Sequence, residues 1–230
     1  MAKGSAFGAA CREESKMKPD FMIQRKFMVQ QLAKRGITDP LVLEAMLAVP
    51  REEFLPESLR ASAYDDAPLQ GSGDNPFSQP YLVARMIAAL ELKGGEIALE
   101  IGTGAGYRAA VLSYIAKEVY TVERVAQRAE KAATALIQRG FRNVHVLHAD
   151  GIQGWPDHAP FDAILVAAGS PAIPKALESQ LRIGGRLVIP IGRKQEVEEF
   201  ACITRLAEDE FKRESVCSFR AGAGDHWRPA

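Results

Sequence analysis

The chain has 230 residues, a formal net charge of zero and a hydrophobic content of 47%. This length suits one large α/β domain with a modest extension, and the zero charge excludes a general attraction to nucleic acid or to an anionic membrane. The three cysteines, Cys11, Cys202 and Cys217, lack the spacing of metal ligands, so we expect reduced thiols in a cytoplasmic protein and no bound metal.

The N-terminal part of the chain predicts a flexible tail followed by two helices. Residues 1–19 are small, polar and basic, without the apolar segment of a signal peptide. Apolar side chains at helical spacing predict a first helix over Asp20–Arg35, which Gly36 ends. Asp39 is suited to cap a second helix that has Pro40 at its first position.

A long stretch without regular periodicity comes next. Residues Arg51–Gln79 are rich in proline, glycine, serine and aspartate, and a loop of this length inside a domain is usually functional or disordered. A helix over Pro80–Leu90 follows it, and Ser78 is placed to cap that helix.

From Glu96 onward, apolar runs alternate with amphipathic segments. The predicted strands are Ile97–Ile101, Val119–Val122, Val144–Leu147, Phe161–Ala168 and Arg186–Pro190. The predicted helices between them are Tyr107–Ala116, Val125–Arg139 and Ile173–Leu181, and a closing antiparallel hairpin is predicted over Phe200–Leu206 and Phe211–Phe219. This alternation predicts an α/β fold in which a mostly parallel central sheet carries helices on both faces.

Three glycines follow the first of these strands at every second position, in the stretch Gly102-Thr-Gly-Ala-Gly106. Such a turn between a strand and a helix lets the backbone approach a ligand closely. A dinucleotide fingerprint would have its third glycine at position 107, which is Tyr107 here. The spacing therefore disfavours a nicotinamide dehydrogenase, and it resembles the first motif of the S-adenosylmethionine-dependent methyltransferases.

Two carboxylates follow the next two strands. Glu123 ends the second strand, where it can accept hydrogen bonds from both hydroxyls of a ribose, and Asp150 follows the third, where it can bind an adenine amino group. Either residue alone is more typical of a solvated strand end or a turn. Because they occur in order at successive strand ends, they predict one nucleoside-binding site together with the glycine turn.

With these motifs, the chain resembles the protein-L-isoaspartate O-methyltransferase family over most of Lys26–Gly192. Similar segments outside the cofactor motifs include Gly36–Met46, Val49–Pro56 and Ser78–Ala84. The N-terminal helices and Trp155–Pro156 are not general methyltransferase features, so they make the resemblance specific. It implies a Rossmann-like class I methyltransferase fold, S-adenosyl-L-methionine as the cofactor, and methyl esterification of L-isoaspartyl carboxylates in damaged proteins, a first step in repair.

The resemblance also implies which residues form the site. Ser78 matches the active-site serine of the family and would position the acceptor, which is already ionised because a carboxyl group has a pKa of roughly 4. Ser78 could equally be an ordinary helix cap, or serve both roles. The residues implied for cofactor binding are Phe77, Ser78, Glu100, Gly102, Thr103, Gly104, Gly106, Tyr107, Glu123, Arg124, Asp150 and Gly151.

The segment before Ser78 departs from the family pattern. The family usually has Gly-Gln-Thr-Ile there, whereas this chain has Gly73-Asp-Asn-Pro-Phe77, in which Pro76 lacks both a hydroxyl and a backbone N–H. The C-terminal family segment is not recognisable in Cys217–Gly222. These departures leave two alternatives open: a related methyltransferase with another peptide or small-molecule acceptor, or a cofactor-binding protein without repair activity.

We therefore expect a tail over residues 1–19, an N-terminal helical extension with the acceptor-site loop over 20–95, and the S-adenosylmethionine-binding methyltransferase domain over 96–230. Residues 20–230 are expected to form one compact unit. We also expect a cytoplasmic monomer that acts on proteins or peptides bearing isoaspartyl residues, without a nucleic-acid or membrane partner.

Overall fold

A seven-stranded β-sheet lies at the centre of the computed structural model, which describes residues 20–70, 78–167, 170–191 and 197–220. The α-helices are α1 (Phe21–Lys34), α2 (Pro40–Ala48), α3 (Pro80–Ala88), α4 (Tyr107–Ile115), α5 (Ala126–Gln138) and α6 (Lys175–Ser179). The strands are β1 (Ile97–Ile101), β2 (Glu118–Glu123), β3 (Val144–His148), β4 (Phe161–Val166), β5 (Leu181–Ile191), β6 (Val197–Arg205) and β7 (Phe211–Arg220).

The sheet is parallel from β1 to β5 and antiparallel at its C-terminal edge. Its strand order is β3-β2-β1-β4-β5-β6-β7, and β6 pairs antiparallel with both of its neighbours. The order reverses between β1 and β4, because the chain moves outward from β1 to β3 before it returns. An open sheet of this kind binds ligands at the carboxyl ends of its strands, beside that reversal. The predicted parallel sheet with a closing antiparallel hairpin is confirmed.

The two faces of the sheet bury separate apolar clusters. Successive side chains of a strand point to opposite faces, so Ala98 belongs to one cluster and its neighbour Leu99 to the other. Helices α1 to α5 all contribute side chains to the cluster of Ala98, and α6 contributes Leu177 to the cluster of Leu99. Helices therefore lie on both faces, as predicted.

The first two helices begin where the sequence predicts. The Asp20 carboxylate accepts a hydrogen bond from the Ile23 N–H at 3.1 Å, and the Asp39 carboxylate accepts one from the Leu41 N–H at 2.9 Å. Each bond satisfies an N–H group that the first helical turn leaves without an intrahelical partner. Pro40 occupies the first position of α2, as expected from its fixed φ angle.

The prediction of an irregular stretch over Arg51–Gln79 is wrong for its first part. A buried cluster holds this segment, because Arg25 of α1 donates to the Tyr64 hydroxyl at 2.7 Å and to a Glu52 carboxylate oxygen at 2.9 Å. These partners are far apart in the chain, so the local sequence carried no sign of them. The regular elements that form there are two 3-10 helices, Arg51–Phe54 and Glu57–Ser62.

The prediction that Ser78 caps α3 is also wrong. Gln79 is the N-cap residue and makes no side-chain bond there, whereas the Tyr81 N–H donates to the Asp66 carboxylate at 3.1 Å. Asp66 also pairs with the guanidinium of Arg35, which lies 3.7 Å from the centre of the Tyr81 ring. A carboxylate 15 residues earlier in the chain thus provides the cap, and the Ser78 hydroxyl has a different partner.

Strand β5 begins earlier than the sequence predicts. Gly184 and Gly185, which precede the predicted strand Arg186–Pro190, lie within β5, and the register against β4 shifts between Phe161 and Ala163. A bulge of this kind keeps extra residues inside a strand, and Gly184 accommodates it with a φ angle of 83°. Helix α6 is shorter than its predicted range, Ile173–Leu181.

Some expectations concern residues outside the described ranges. These include the tail over residues 1–19, Pro76 and Phe77, and the end of the chain after Arg220. Within the described ranges, no helix has both the length and the apolarity needed to cross a membrane.

We expect Asp66→Ala to destabilise the fold by about 1 kcal/mol, the usual cost of losing a helix N-terminal cap. The variant loses the bond to Tyr81 and the ion pair with Arg35. Urea denaturation followed by circular dichroism gives the change in the free energy of unfolding. Asp65→Ala is the matched control, because Asp65 is an exposed neighbouring carboxylate. An equal loss in both variants would contradict the capping role.

Candidate active site

The turn after β1 presents backbone groups at the carboxyl end of the sheet. Gly102, Gly104 and Gly106 have φ angles of 95°, 58° and 92°. A Cβ atom at position 104 would meet no atom within 4 Å, so this glycine borders open space in which a ligand can approach the backbone. A Cβ atom at position 106 would lie 3.2 Å from the Leu136 side chain, so that glycine allows α5 to pack closely.

Glu123, at the end of β2, accepts hydrogen bonds from this turn and from its own loop. Its two carboxylate oxygens accept from the Gly104 N–H and the Val125 N–H, both at 3.0 Å, and the residue is 4% exposed. A carboxylate has about four lone-pair sites. Two backbone bonds therefore leave capacity for a pair of hydroxyl groups, and ribose binding stays a prediction that this geometry fits.

Asp150 follows β3 at the same edge of the sheet. Its exposed carboxylate accepts from the Ile152 N–H at 3.1 Å and caps the 3-10 helix Gly151–Gln153. A Cβ atom at Gly151 would overlap the side chain of Ile101 at the end of β1, so the two loops pack directly together. The structure thus brings the glycine turn, Glu123 and Asp150 to one edge, as the strand order predicts.

A buried polar network lies on the interior side of the glycine turn. Glu100 is 0% exposed, and its two carboxylate oxygens accept from Arg108 Nε at 3.0 Å and from the Thr121 hydroxyl at 2.7 Å. The Thr121 hydroxyl also lies 2.6 Å from that of Thr103. Burial raises the pKa of the Glu100 carboxyl above its ordinary value, while the Arg108 guanidinium and the Thr121 hydroxyl favour its charged form. The side chains of Glu100 and Thr103 therefore brace the turn from inside the protein.

Two guanidinium groups hold Ser78, one at its hydroxyl and one at its carbonyl. Arg108 donates from Nη1 to Ser78 Oγ at 2.9 Å and from Nη2 to the Gly102 carbonyl at 2.8 Å. Arg51 donates from Nη2 to the Ser78 carbonyl at 2.8 Å and from Nε to the Ala63 carbonyl at 2.7 Å. Burial lowers the pKa of Arg51. The predicted catalytic serine is thus joined to the glycine turn through a single arginine side chain.

Tyr107 and Arg124 are both predicted to bind the cofactor, and of these Tyr107 directs its side chain into the core. The Tyr107 ring packs edge-on against Phe54 with a centroid distance of 5.8 Å, and its hydroxyl lies 3.5 Å from the Met46 sulfur. Burial raises its pKa to about 12. This side chain belongs to the core between α4 and the N-terminal helices, which leaves only its backbone near the turn. Arg124 is exposed to solvent, and Phe77 lies outside the described residues.

Arg51 and Arg108 are absent from the predicted site, although both contact Ser78. The sequence does hold a signal for Arg108, because it places a cation in the first turn of α4, where the helix dipole disfavours positive charge. A residue that opposes its local structure usually has a partner elsewhere, and here that partner is Glu100. Arg51 gives no comparable signal, since its partners come from distant parts of the chain.

The fold and this strand-end site together define a class I methyltransferase. A family model described as protein-L-isoaspartate(D-aspartate) O-methyltransferase (PCMT) matches residues 23–220. The chain belongs to this family. The resemblance that rested on short motifs therefore extends over nearly all of the described residues.

Relatives at high identity carry the same family name. The chain is 53% identical over 201 residues to protein-L-isoaspartate O-methyltransferase 1 of Rhodopseudomonas palustris (strain HaA2). The matched region covers 87% of this chain and 82% of that protein. This chain is also 52% identical over 198 residues to protein-L-isoaspartate O-methyltransferase 2 of Marinobacter nauticus. The matched region there covers 86% of this chain and 90% of that protein.

Two solved structures share the fold. A protein-L-isoaspartate O-methyltransferase matches with a TM-score of 0.74 and 28% identity, over 90% of this chain and 65% of its own chain. A Plasmodium falciparum structure, described as a protein-L-isoaspartate O-methyltransferase in complex with S-adenosyl-L-homocysteine, matches with a TM-score of 0.70 and 25% identity, over 83% of this chain and 94% of its own.

We expect Gly104→Val to abolish binding of S-adenosyl-L-homocysteine, measured by titration calorimetry. The valine side chain would fill the open space beside the turn. Gly140→Val is the matched control, because Gly140 lies before β3 at the opposite end of the sheet. The two positions have φ angles of 58° and 84°, and neither Cβ would meet an atom within 4 Å, so a valine suffers a similar strain of about 1–2 kcal/mol at each. Loss of binding in both variants would contradict the site.

Proposed function

We propose that the protein transfers a methyl group from S-adenosyl-L-methionine to the carboxylate of L-isoaspartyl residues in damaged proteins and peptides. One observation carries this proposal: Arg108 joins Ser78 Oγ, at 2.9 Å, to the carbonyl of Gly102, at 2.8 Å. An acceptor bound at Ser78 would therefore lie beside the glycine turn. Relatives at 53% and 52% identity that are named for this activity support the same conclusion.

The strand-end site fits the proposed cofactor. The open space beside Gly104 admits a ligand against the backbone, Glu123 would hold the ribose hydroxyls, and the exposed carboxylate of Asp150 would accept from the adenine amino group. When it is bound, S-adenosyl-L-methionine supplies an electrophilic sulfonium methyl group, which is transferred to the acceptor oxygen as the carbon–sulfur bond breaks.

The acceptor needs positioning more than it needs a base. A carboxyl group with a pKa of roughly 4 is ionised at neutral pH, so no proton has to be removed before it attacks. In the proposed mechanism the Ser78 hydroxyl donates a hydrogen bond to one oxygen of the acceptor carboxylate and leaves the other free to react. Holding the reacting groups in line lowers the entropic part of the barrier. The guanidinium groups of Arg51 and Arg108 add positive charge around the acceptor.

The proposed partner, localisation and domain organisation are supported by observations outside the strand-end site. The zero net charge supports a protein acceptor over a nucleic-acid or membrane partner, and the buried free thiol of Cys202 suits the cytoplasm. Helices α1 to α3 share one apolar cluster with β1, which supports a single compact unit spanning 20–95 and the methyltransferase domain. Function as a monomer stays a prediction that analytical ultracentrifugation would check.

We expect the protein to transfer labelled methyl groups to an isoaspartyl peptide and to leave the matched aspartyl peptide unlabelled. The product would be a methyl ester, so the label should be released by mild base. The two peptides differ only in the backbone connection of one residue, which makes the aspartyl peptide the control. Intact binding of S-adenosyl-L-homocysteine without methylation of either peptide would favour a methyltransferase with another acceptor.

We expect Ser78→Ala to lower kcat about 10- to 100-fold, since a hydrogen bond to a charged group contributes about 1.5–3 kcal/mol. The affinity for S-adenosyl-L-homocysteine should change little, because the serine acts on the acceptor. Steady-state kinetics and calorimetry measure the two effects separately. Ser179→Ala serves as the control, since Ser179 is an exposed residue at the end of α6 whose hydroxyl donates to the Ala176 carbonyl of its own helix. Equal losses in turnover and cofactor affinity would make Ser78 a cofactor contact.

A further inference from the structure

We propose that Arg108 is a positioning residue that makes the Ser78 hydroxyl a hydrogen-bond donor toward the acceptor carboxylate. This inference rests on the proposed function and adds to it the residue that sets the direction of the catalytic hydrogen bond. It is carried by the three bonds that Arg108 makes, by the direction that each bond must have, and by the place of Arg108 in α4.

The direction of the bond between Arg108 and Ser78 follows from chemistry. A guanidinium group has five N–H donors and no acceptor, so at the 2.9 Å contact Nη1 must donate and Ser78 Oγ must accept. The hydroxyl proton of Ser78 then has to point elsewhere. Because Asp66 provides the cap of α3, the Ser78 hydroxyl is not used as an acceptor for that helix. Among the described residues the Ser78 hydroxyl has no further hydrogen-bond partner, so its proton is available to an anionic acceptor.

Arg108 is itself held at three points. Its Nε donates to Glu100 at 3.0 Å and its Nη2 donates to the Gly102 carbonyl at 2.8 Å, while Nη1 reaches Ser78. The side chain is 14% exposed. Because the guanidinium is planar and its donors have fixed directions, bonds to Glu100 and Gly102 determine where Nη1 lies. The position of the serine bond is thus set by the sheet and by the glycine turn.

A purely structural role would not require this geometry. The buried carboxylate of Glu100 needs a positive partner, because an unpaired buried charge is strongly destabilising. The strongest pairing of an arginine with a carboxylate uses two parallel N–H bonds. Here Arg108 directs one N–H to Glu100, and its two terminal nitrogens bond to Gly102 and Ser78 instead. Neutralising Glu100 therefore does not account for the outward bonds of Arg108.

This arrangement ties the acceptor side of the site to the cofactor side. Gly102 belongs to the turn that borders the open space, and Ser78 directly precedes the segment that leads into α3. One rigid group bonds to both of them, so the direction of the serine hydroxyl depends on the geometry of the glycine turn. A lysine would keep the charge, but its single ammonium cannot keep three bonds in these directions.

The test is a double-mutant cycle between Arg108→Lys and Ser78→Ala, with kcat and KM measured on the isoaspartyl peptide at saturating S-adenosyl-L-methionine. We expect Arg108→Lys to lower kcat about tenfold when Ser78 is present, the size of a charge-assisted hydrogen bond. In the Ser78→Ala background the same substitution should change kcat less than about twofold, since coupled residues are not additive. Calorimetric affinity for S-adenosyl-L-homocysteine should stay the same. Arg142→Lys, on an exposed residue, is the control.

Each outcome decides the inference. An equal fall in kcat in both backgrounds would overturn it and make Arg108 a structural partner of Glu100, while the proposed function would stand on the activity of the unmodified protein. A lack of activity on the isoaspartyl peptide in the unmodified protein would overturn the proposed function, and this inference with it. Should Arg108→Lys fail to unfold cooperatively, the cycle is run with Arg108→Gln and Glu100→Gln together, which removes both buried charges. The same non-additivity with Ser78→Ala is then expected.

Discussion

The burial of the Glu100 carboxylate is the constraint on which the site depends. A charge that is 0% exposed inside a parallel sheet is costly unless it is paired and hydrogen-bonded. Its partners are the first turn of α4, through Arg108, and the neighbouring strand, through Thr121. The same arginine also bonds to the glycine turn and to Ser78, so the residue that compensates this buried charge contacts both of them.

The N-terminal helices matter to the site through Arg51. Arg51 holds the Ser78 carbonyl, and it is oriented by the Ala63 carbonyl. Both Arg51 and Ala63 adjoin residues of the buried cluster, because Glu52 and Tyr64 are their chain neighbours and both bond to Arg25 of α1. Loss of that cluster would therefore disturb the residues that hold the Ser78 carbonyl. The N-terminal helices are thus linked to Ser78 through Arg51.

Features of the sequence that depend on local physics could be predicted, and those that depend on distant partners could not. The alternation of strands and helices, the cap at Asp39 and the order of the glycine turn, Glu123 and Asp150 follow from periodicity and chain order. The cap of α3 by Asp66, the bulge in β5 and the bonds from Arg51 and Arg108 to Ser78 follow from contacts made only after folding. The direction of a side chain could not be predicted either, because Tyr107 directly follows the glycine turn and yet its side chain packs into the core.

The departures from the family pattern lie in Gly73–Phe77, directly before Ser78. Among the described residues, the bonds that hold Ser78 come from Arg51 and Arg108, and both arginines bond in turn to described residues outside that segment. A changed segment can therefore alter what reaches the serine without removing the contacts that place it. The geometry accordingly favours retained methyl transfer to a carboxylate.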